Sequence, residues 1–177
     1  MDLQDFEAQS LYFDRPMAAE VETLLQEASE VYAEGRAEPL LLKAYALDPG
    51  NLSVLVALYR FYYYQHRYAD AIDIADQVMR EVAPMIDFPG HWTEISGANL
   101  ANGLMKSFTQ VRFYLLALKG AAYLHLRRGE IEQGVRMLNK VIELDSRDRL
   151  GAGALLRAMG PAAISAGPVA KVEACAV

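Results

Sequence analysis

Apolar side chains recur at intervals of three and four residues along most of this sequence, in segments that end near glycine or proline. Within residues 17–33, for example, Val21, Leu24, Ala28 and Val31 follow this spacing, which places them on one face of a helix. Six later segments show a similar spacing, and no segment shows the strict alternation typical of a half-buried strand. We therefore predict an all-α fold with about seven helices.

Turn residues divide these segments into helical hairpins. Gly35, Gly129 and the run Asp48-Pro49-Gly50-Asn51 mark the ends of helices. We predict one domain over residues 1–160, with hairpins at about 17–50, 51–83 and 115–148 and a capping helix at 147–159. Prolines and glycines within 84–106 interrupt the helical pattern and predict an ordered insertion, and the small residues of 161–177 predict a flexible tail.

The composition favours a globular protein. Hydrophobic residues make up 53% of the 177 residues and there is one cysteine, which excludes a disordered chain and a disulfide scaffold. No uncharged apolar run approaches the roughly 18 residues of a membrane helix, and the acidic start of the chain lacks the basic region of a secretory signal. We expect a cytoplasmic protein without membrane contact.

Charge is unevenly distributed along the chain. Residues 1–38 carry ten acidic residues and two arginines, whereas residues 106–157 carry ten lysines and arginines and five acidic residues. The basic segment predicts either solvated helix surfaces or a positive face for an acidic partner or for the acidic N-terminal region of the chain itself. Because the isoelectric point is about 5.1 and no nucleic-acid-binding motif is present, we expect no nucleic acid partner.

The hairpins share a pattern of small and large residues. In the central hairpin the pattern consists of Leu55, Leu58, Tyr59, Tyr62, Tyr68, Ala71, Ala75 and Val78. In a later hairpin it includes Leu118, Ala122, Gly129, Gly134 and Leu138. This pattern resembles the tetratricopeptide repeat (TPR), a helical hairpin of about 34 residues. The resemblance implies a short TPR-like solenoid, in which stacked hairpins bury a common core and the insertion interrupts the stacking.

The resemblance also implies a binding site, because TPR ligands usually lie in a concave groove lined by the first helix of each repeat. The residues that match groove positions are Arg60, Tyr63, Tyr64, Lys119, Tyr123, Arg127 and, from the capping helix, Arg157. Tyrosine and arginine combine a large contact area with a polar end, as peptide-binding anchors do. The alternative is that the aromatic run of residues 59–64 packs on all sides of a central helix. The TPR carboxylate clamp is not reproduced, since Val56 stands where its lysine is expected.

No motif indicates catalysis or a cofactor. The three histidines, His66, His91 and His125, lack partners at metal-ligand spacing, and no phosphate-binding glycine loop is present. We therefore predict a protein that is not an enzyme and that binds neither metal nor cofactor.

Three functions are compatible with this sequence. The first is a protein- or peptide-binding adaptor or chaperone, with an acidic partner favoured by the basic segment. The second is a structural module that forms a homodimer through its apolar surfaces. The third is an assembly or accessory factor for a bacterial enzyme system, because residues 58–72 are similar to small bacterial TPR proteins encoded beside nitrogen-fixation genes.

Overall fold

The computed structural model describes residues 17–32 and 35–160, and within these residues it contains helices and no strands. The all-α prediction is therefore confirmed. The helices are α1 (Ala19–Glu30), α2 (Glu38–Leu47), α3 (Leu52–Tyr64), α4 (Tyr68–Val82), α5 (Gly97–Lys106), α6 (Phe108–Arg127), α7 (Ile131–Leu144) and α8 (Ala152–Ala158). The tail predicted for residues 161–177 lies outside the described residues.

Successive helices pack against one another along the chain. Helix α2 packs on α1 and α3, α4 packs on α3 and α6, and α7 packs on α6 and α8. Helix α6, with 20 residues, is the longest of the described helices and is buried along most of its length. Because it contacts helices on both sides, α6 forms the centre of the core.

Polar caps fix where the central helices begin. The side chain of Asn51 accepts hydrogen bonds from the backbone N–H groups of Ser53 and Val54 at 3.0 and 3.4 Å, so Asn51 is the N-cap of α3. Ser107 caps α6 in the same way, accepting a bond from the N–H of Gln110 at 3.2 Å. Ser107 thereby separates α6 from α5.

The segment 84–106, which the sequence predicts to be an ordered insertion, contains a helix of ten residues. It begins with two short 3-10 turns, Ala83–Ile86 and Trp92–Glu94, which are followed by α5. Ser96 and Asn99 form a capping box at the start of this helix. The described chain therefore has eight α-helices, and the prediction of about seven is corrected by α5.

Gly103 allows α5 to pack closely against its neighbours. This residue is buried in α5, and a Cβ atom at its position would lie 2.7 Å from the Phe88 ring and 3.0 Å from the Val111 side chain. The missing side chain therefore allows α5 to approach the 3-10 turn and α6 closely.

The capping helix is shorter than predicted. Helix α8 covers Ala152–Ala158, whereas the sequence pattern predicts a helix over 147–159. Asp148 and Gly151 both have positive φ angles, of 49° and 71°, so the chain turns twice before α8 begins. Among the described residues, none of the helices has both the length and the apolar character that a membrane crossing requires.

Candidate functional site

The aromatic run at the end of α3 divides between the core and the surface. Tyr59, Phe61 and Tyr62 are buried, whereas Tyr63 is half-buried and Tyr64 is 57% exposed. Six large side chains around a helix cannot all enter one core. The structure therefore leaves the last two tyrosines of the run at the surface.

Tyr63 is the centre of a group of tyrosines from three helices. Its ring lies 6.4 Å from that of Tyr59 in a stacked geometry and 5.4 Å from that of Tyr64 in an edge-on geometry. It also lies 6.3 Å from Tyr68 at the start of α4 and 6.4 Å from Tyr123 in α6. Aromatic pairs at these distances stabilise each other by about 0.5 to 1.5 kcal/mol beyond their buried area. The group is therefore a packed aromatic platform.

Arg127 places a positive charge on this platform. Its Nη1 donates a hydrogen bond of 2.9 Å to the hydroxyl of Tyr123, and its guanidinium lies 5.1 Å from the Tyr68 ring and 5.8 Å from the Tyr123 ring. The hydrogen bond to Tyr123 raises the pKa of Arg127. A guanidinium has five N–H donors, so the contact with Tyr123 leaves donors that can reach an anionic ligand.

Tyr32, at the end of α1, extends the platform in the other direction. Its ring packs edge-on against Phe61 at 5.8 Å. Burial raises the pKa of Tyr32; nearby Tyr64 raises it further, and Arg60 lowers it. The Tyr32 hydroxyl is buried and finds no hydrogen-bond partner among the described residues.

The tyrosine–arginine surface is the name used below for the half-buried and exposed residues of this group. It consists of Tyr32, Arg60, Tyr63, Tyr64, Tyr68, Tyr123 and Arg127. Five of the seven residues predicted to line a groove are in it. Tyr32 and Tyr68 were not predicted as members of this surface. Each lies at the end of a helix, where the apolar periodicity does not show which way a side chain points.

Two predicted groove residues lie elsewhere, and these placements are corrections. Lys119 is buried, with 8% of its surface exposed, and its Nζ lies close to Gly151 at the start of α8. Arg157 is exposed, and its Nη2 lies 3.4 Å from Asp148. That carboxylate accepts hydrogen bonds from the N–H groups of Gly153 and Ala154. Arg157 therefore pairs with the residue that caps its own helix.

Two of the histidines line a small polar pocket of about 260 Å³. His91 and His125 face it together with Asp76 and Tyr114, and Nδ1 of His125 contacts the Glu130 carboxylate. Within the described residues, His, Cys, Asp and Glu side chains form no group of three or more that could hold a metal ion. The third histidine, His66, contacts the hydroxyl of Tyr68 at 2.9 Å.

Asp76 in this pocket makes the stability of the fold depend on pH. Burial raises the pKa of Asp76 above 3.8; Arg80, His125 and His91 lower it, and Asp73 raises it. Because the pKa is higher in the folded state, ionisation of Asp76 costs the folded state free energy. This cost is absent at pH values below the pKa that Asp76 has in the unfolded chain. It is fully present at pH values above the pKa that Asp76 has in the folded protein.

We expect Asp76→Asn to raise the denaturation midpoint at pH 7. The gain should shrink as the pH falls toward about 4, where the aspartate becomes neutral as well. Urea denaturation of both proteins across this pH range measures the effect. A substitution that destabilises the protein at pH 7 would show that the Asp76 carboxylate makes a favourable interaction in its charged form.

Comparison with known proteins gives a relative that matches most of the chain. The chain is 53% identical over 156 residues to the "uncharacterized 19.8 kDa protein in nifW 5′ region" of Azotobacter chroococcum mcd 1. The match covers 88% of this chain and 87% of that protein. No protein-family model matches the chain, and no solved structure matches it.

Proposed function

We propose that this chain, which belongs to the same protein family as the 19.8 kDa protein of the nifW 5′ region of Azotobacter chroococcum, binds another protein through its tyrosine–arginine surface. In this proposal it is a cytoplasmic adaptor or chaperone and is not catalytic. The observation that carries the proposal is the convergence of tyrosines from three helices beside an arginine at the surface. Tyr64 and Arg127 are its exposed members.

The chemistry of this surface supports protein binding. Tyrosine and arginine are enriched among the residues that contribute most to the free energy of protein association. Here the tyrosine rings are held by contacts with one another, so little side-chain entropy remains to be lost when a partner binds. A preorganised aromatic surface of this kind favours a tight interface.

The proposed partner is acidic at the position that meets Arg127. The guanidinium stacks on Tyr68 and Tyr123, which orients its remaining N–H groups, and a planar guanidinium suits a carboxylate. A peptide with an aspartate or glutamate beside apolar side chains would match both the charge and the rings.

We interpret the scaffold as a short TPR-like solenoid. The order of packing along the chain supports this interpretation, because each of α2, α4 and α7 packs against the helix before it and against the next helix of the array. In this interpretation the first helices of the three hairpins are α1, α3 and α6. Five of the seven residues of the tyrosine–arginine surface then lie on α3 and α6, Tyr32 follows α1, and Tyr68 begins α4.

The location named for the relative supports a more specific version of this function. The relative is encoded in the 5′ region of nifW, beside genes of nitrogen fixation. By this version of the proposal, the present chain acts as an assembly or accessory factor for a nitrogen-fixation enzyme system. The partner would then be a protein of that system. The competing proposal is self-association, in which the same aromatic surface forms a homodimer.

An affinity pull-down from the native cell tests the proposal. The bait is the wild-type chain beside Tyr64→Ala/Arg127→Ala, with partner proteins identified by mass spectrometry. The matched control is Leu42→Ala/Arg136→Ala, which removes one exposed apolar side chain and one exposed arginine outside the surface. We expect at least one protein to be retained by the wild type and the control and reduced by about tenfold or more with the surface variant.

Two results would contradict the proposal. Identical protein lists from all three baits would show that the surface binds nothing. If the wild-type bait recovers only native copies of this same chain, and the surface variant does not recover them, the surface forms a homodimer instead. Thermal denaturation of the three baits must give similar midpoints, since a large loss for the surface variant would place these side chains in the core.

A further inference from the structure

A cleft separate from the tyrosine–arginine surface lies at the opposite end of α6 from Arg127. This cleft has a volume of about 540 Å³ and is formed by α5, the first half of α6, the end of α7 and the loop before α8. Its apolar lining consists of Leu100, Leu104, Phe108, Val111, Leu115, Leu144 and Leu150. It shares no residue with the tyrosine–arginine surface.

The rim of this cleft exposes large apolar side chains. Phe108 is 59% exposed at the start of α6, and Leu104 is 40% exposed near the end of α5. Each Å² of apolar surface left in water costs about 25 cal/mol relative to burial, and a contiguous apolar patch of this kind is typical of a site that another molecule covers.

The polar groups of the cleft are mainly basic. Arg112, Arg147 and Arg149 line it beside a single carboxylate, that of Asp145. The Asp145 carboxylate accepts a hydrogen bond of 2.7 Å from the N–H of Leu150, which holds it in the turn before α8. Arg147 and Arg149 are exposed and form no ion pair with a described residue. The cleft therefore combines an apolar floor with a positive rim.

We propose that this cleft binds an acidic amphipathic helix of a partner protein. A helix satisfies its own backbone hydrogen bonds and can place apolar residues at positions i, i+3, i+4 and i+7 in a groove between helices. The described residues offer no strand edge with which an extended peptide could pair its backbone. Glutamates and aspartates beside the apolar face of such a helix would meet Arg147 and Arg149, and charge complementarity of this kind sets which partner is accepted.

Fluorescence anisotropy with two labelled peptides tests this proposal. The first is a helical peptide with leucine at positions i, i+3, i+4 and i+7 of each repeat and glutamate on the other face. The second carries lysine in place of every glutamate. We expect the full-length protein to bind the glutamate peptide at least about tenfold more tightly than the lysine peptide at low salt.

Charge reversal in the protein should reverse this preference. Arg147→Glu/Arg149→Glu is expected to weaken binding of the glutamate peptide by about tenfold and to strengthen binding of the lysine peptide. The matched control is Arg136→Glu/Arg80→Glu, which reverses two exposed arginines outside this cleft and should leave the preference unchanged. Phe108→Ser, at an exposed position, should weaken binding of both peptides.

Several outcomes would overturn the proposal. Equal affinity for the two peptides, or no binding of either, would show that the cleft does not select an acidic helix. A dimer in analytical ultracentrifugation that dissociates with Phe108→Ser would assign the cleft to a second copy of the chain. If the glutamate peptide binds only after residues 1–16 are deleted, the occupant of the cleft is that acidic segment of the chain itself.

Discussion

Gly134→Val is expected to lower the free energy of unfolding by about 3 kcal/mol, at the upper end of what overpacking of a core usually costs. A Cβ atom at Gly134 would lie 2.5 Å from two atoms of the Leu126 side chain and 2.8 Å from the carbonyl oxygen of Ala122. The leucine can change its conformation, but the carbonyl belongs to the backbone of α6. Helices α6 and α7 would therefore have to move apart near the turn that joins them.

Chemical denaturation of wild type and variant measures this effect. The matched control is Gly97→Val, because a Cβ atom at Gly97 would meet no atom within 4 Å and the helix propensities of glycine and valine differ by a few tenths of a kcal/mol. Equal stability of Gly134→Val and the wild type would contradict the close approach of the two helices. It would also contradict the small-residue pattern on which the repeat interpretation depends.

Phe88→Ala is expected to lower the free energy of unfolding by about 3 to 5 kcal/mol, the usual cost of removing a buried aromatic ring. The Phe88 ring is buried and packs edge-on against Tyr114 at 5.1 Å. It also occupies the space that the missing side chain of Gly103 leaves. The ring therefore joins α5 to α6, and its loss should detach α5 before the rest of the fold unfolds.

Hydrogen exchange and chemical denaturation together check this expectation. The backbone amides of α5 should exchange faster in Phe88→Ala, whereas the amides of α3 and α4 should change little. Met85→Ala is the control, because Met85 is a large apolar residue of the same segment that is 42% exposed. Unchanged exchange in α5 would show that the helix is held by other contacts.

The periodic helices could be predicted from the sequence because their burial is one-sided. Helices α4 and α7, for example, bury residues at spacings of three and four, and this spacing is visible without any structure. The ends of other helices were also predictable. Asn51 caps the start of α3, and Gly129 adopts the left-handed backbone conformation after the end of α6. These signals are local, so they do not depend on what the helices pack against.

Helix α5 could not be predicted because its support is tertiary. Gly97 and Gly103 indicate a break in a local interpretation of the sequence, and a glycine inside a helix costs up to about 1 kcal/mol relative to alanine. In the fold, Gly103 is the point where α5 meets Phe88 and Val111. That contact becomes visible only when the distant helix α6 is in place.

Residues that share one helix face could be grouped from the sequence, whereas contacts that depend on the path of the chain could not. The rings of Tyr63 on α3 and Tyr123 on α6 lie 6.4 Å apart, and both were named from the face of their own helix. Lys119 lies on α6 as well, but the start of α8 approaches it, and the course of the loop before α8 is not encoded in any periodicity. For the same reason Arg157 pairs with Asp148 instead of joining the tyrosine–arginine surface.

The claim that the tyrosine–arginine surface binds a partner protein is tested most directly by site-specific photo-cross-linking in the native cell. A photoreactive phenylalanine analogue replaces Tyr64 in one variant and Leu42, which is exposed on α2, in the control. We predict that position 64 cross-links a defined partner protein, that position 42 does not, and that adding Arg127→Ala reduces the cross-link. The same products from both positions, or a cross-link only to a second copy of the chain, would contradict the claim.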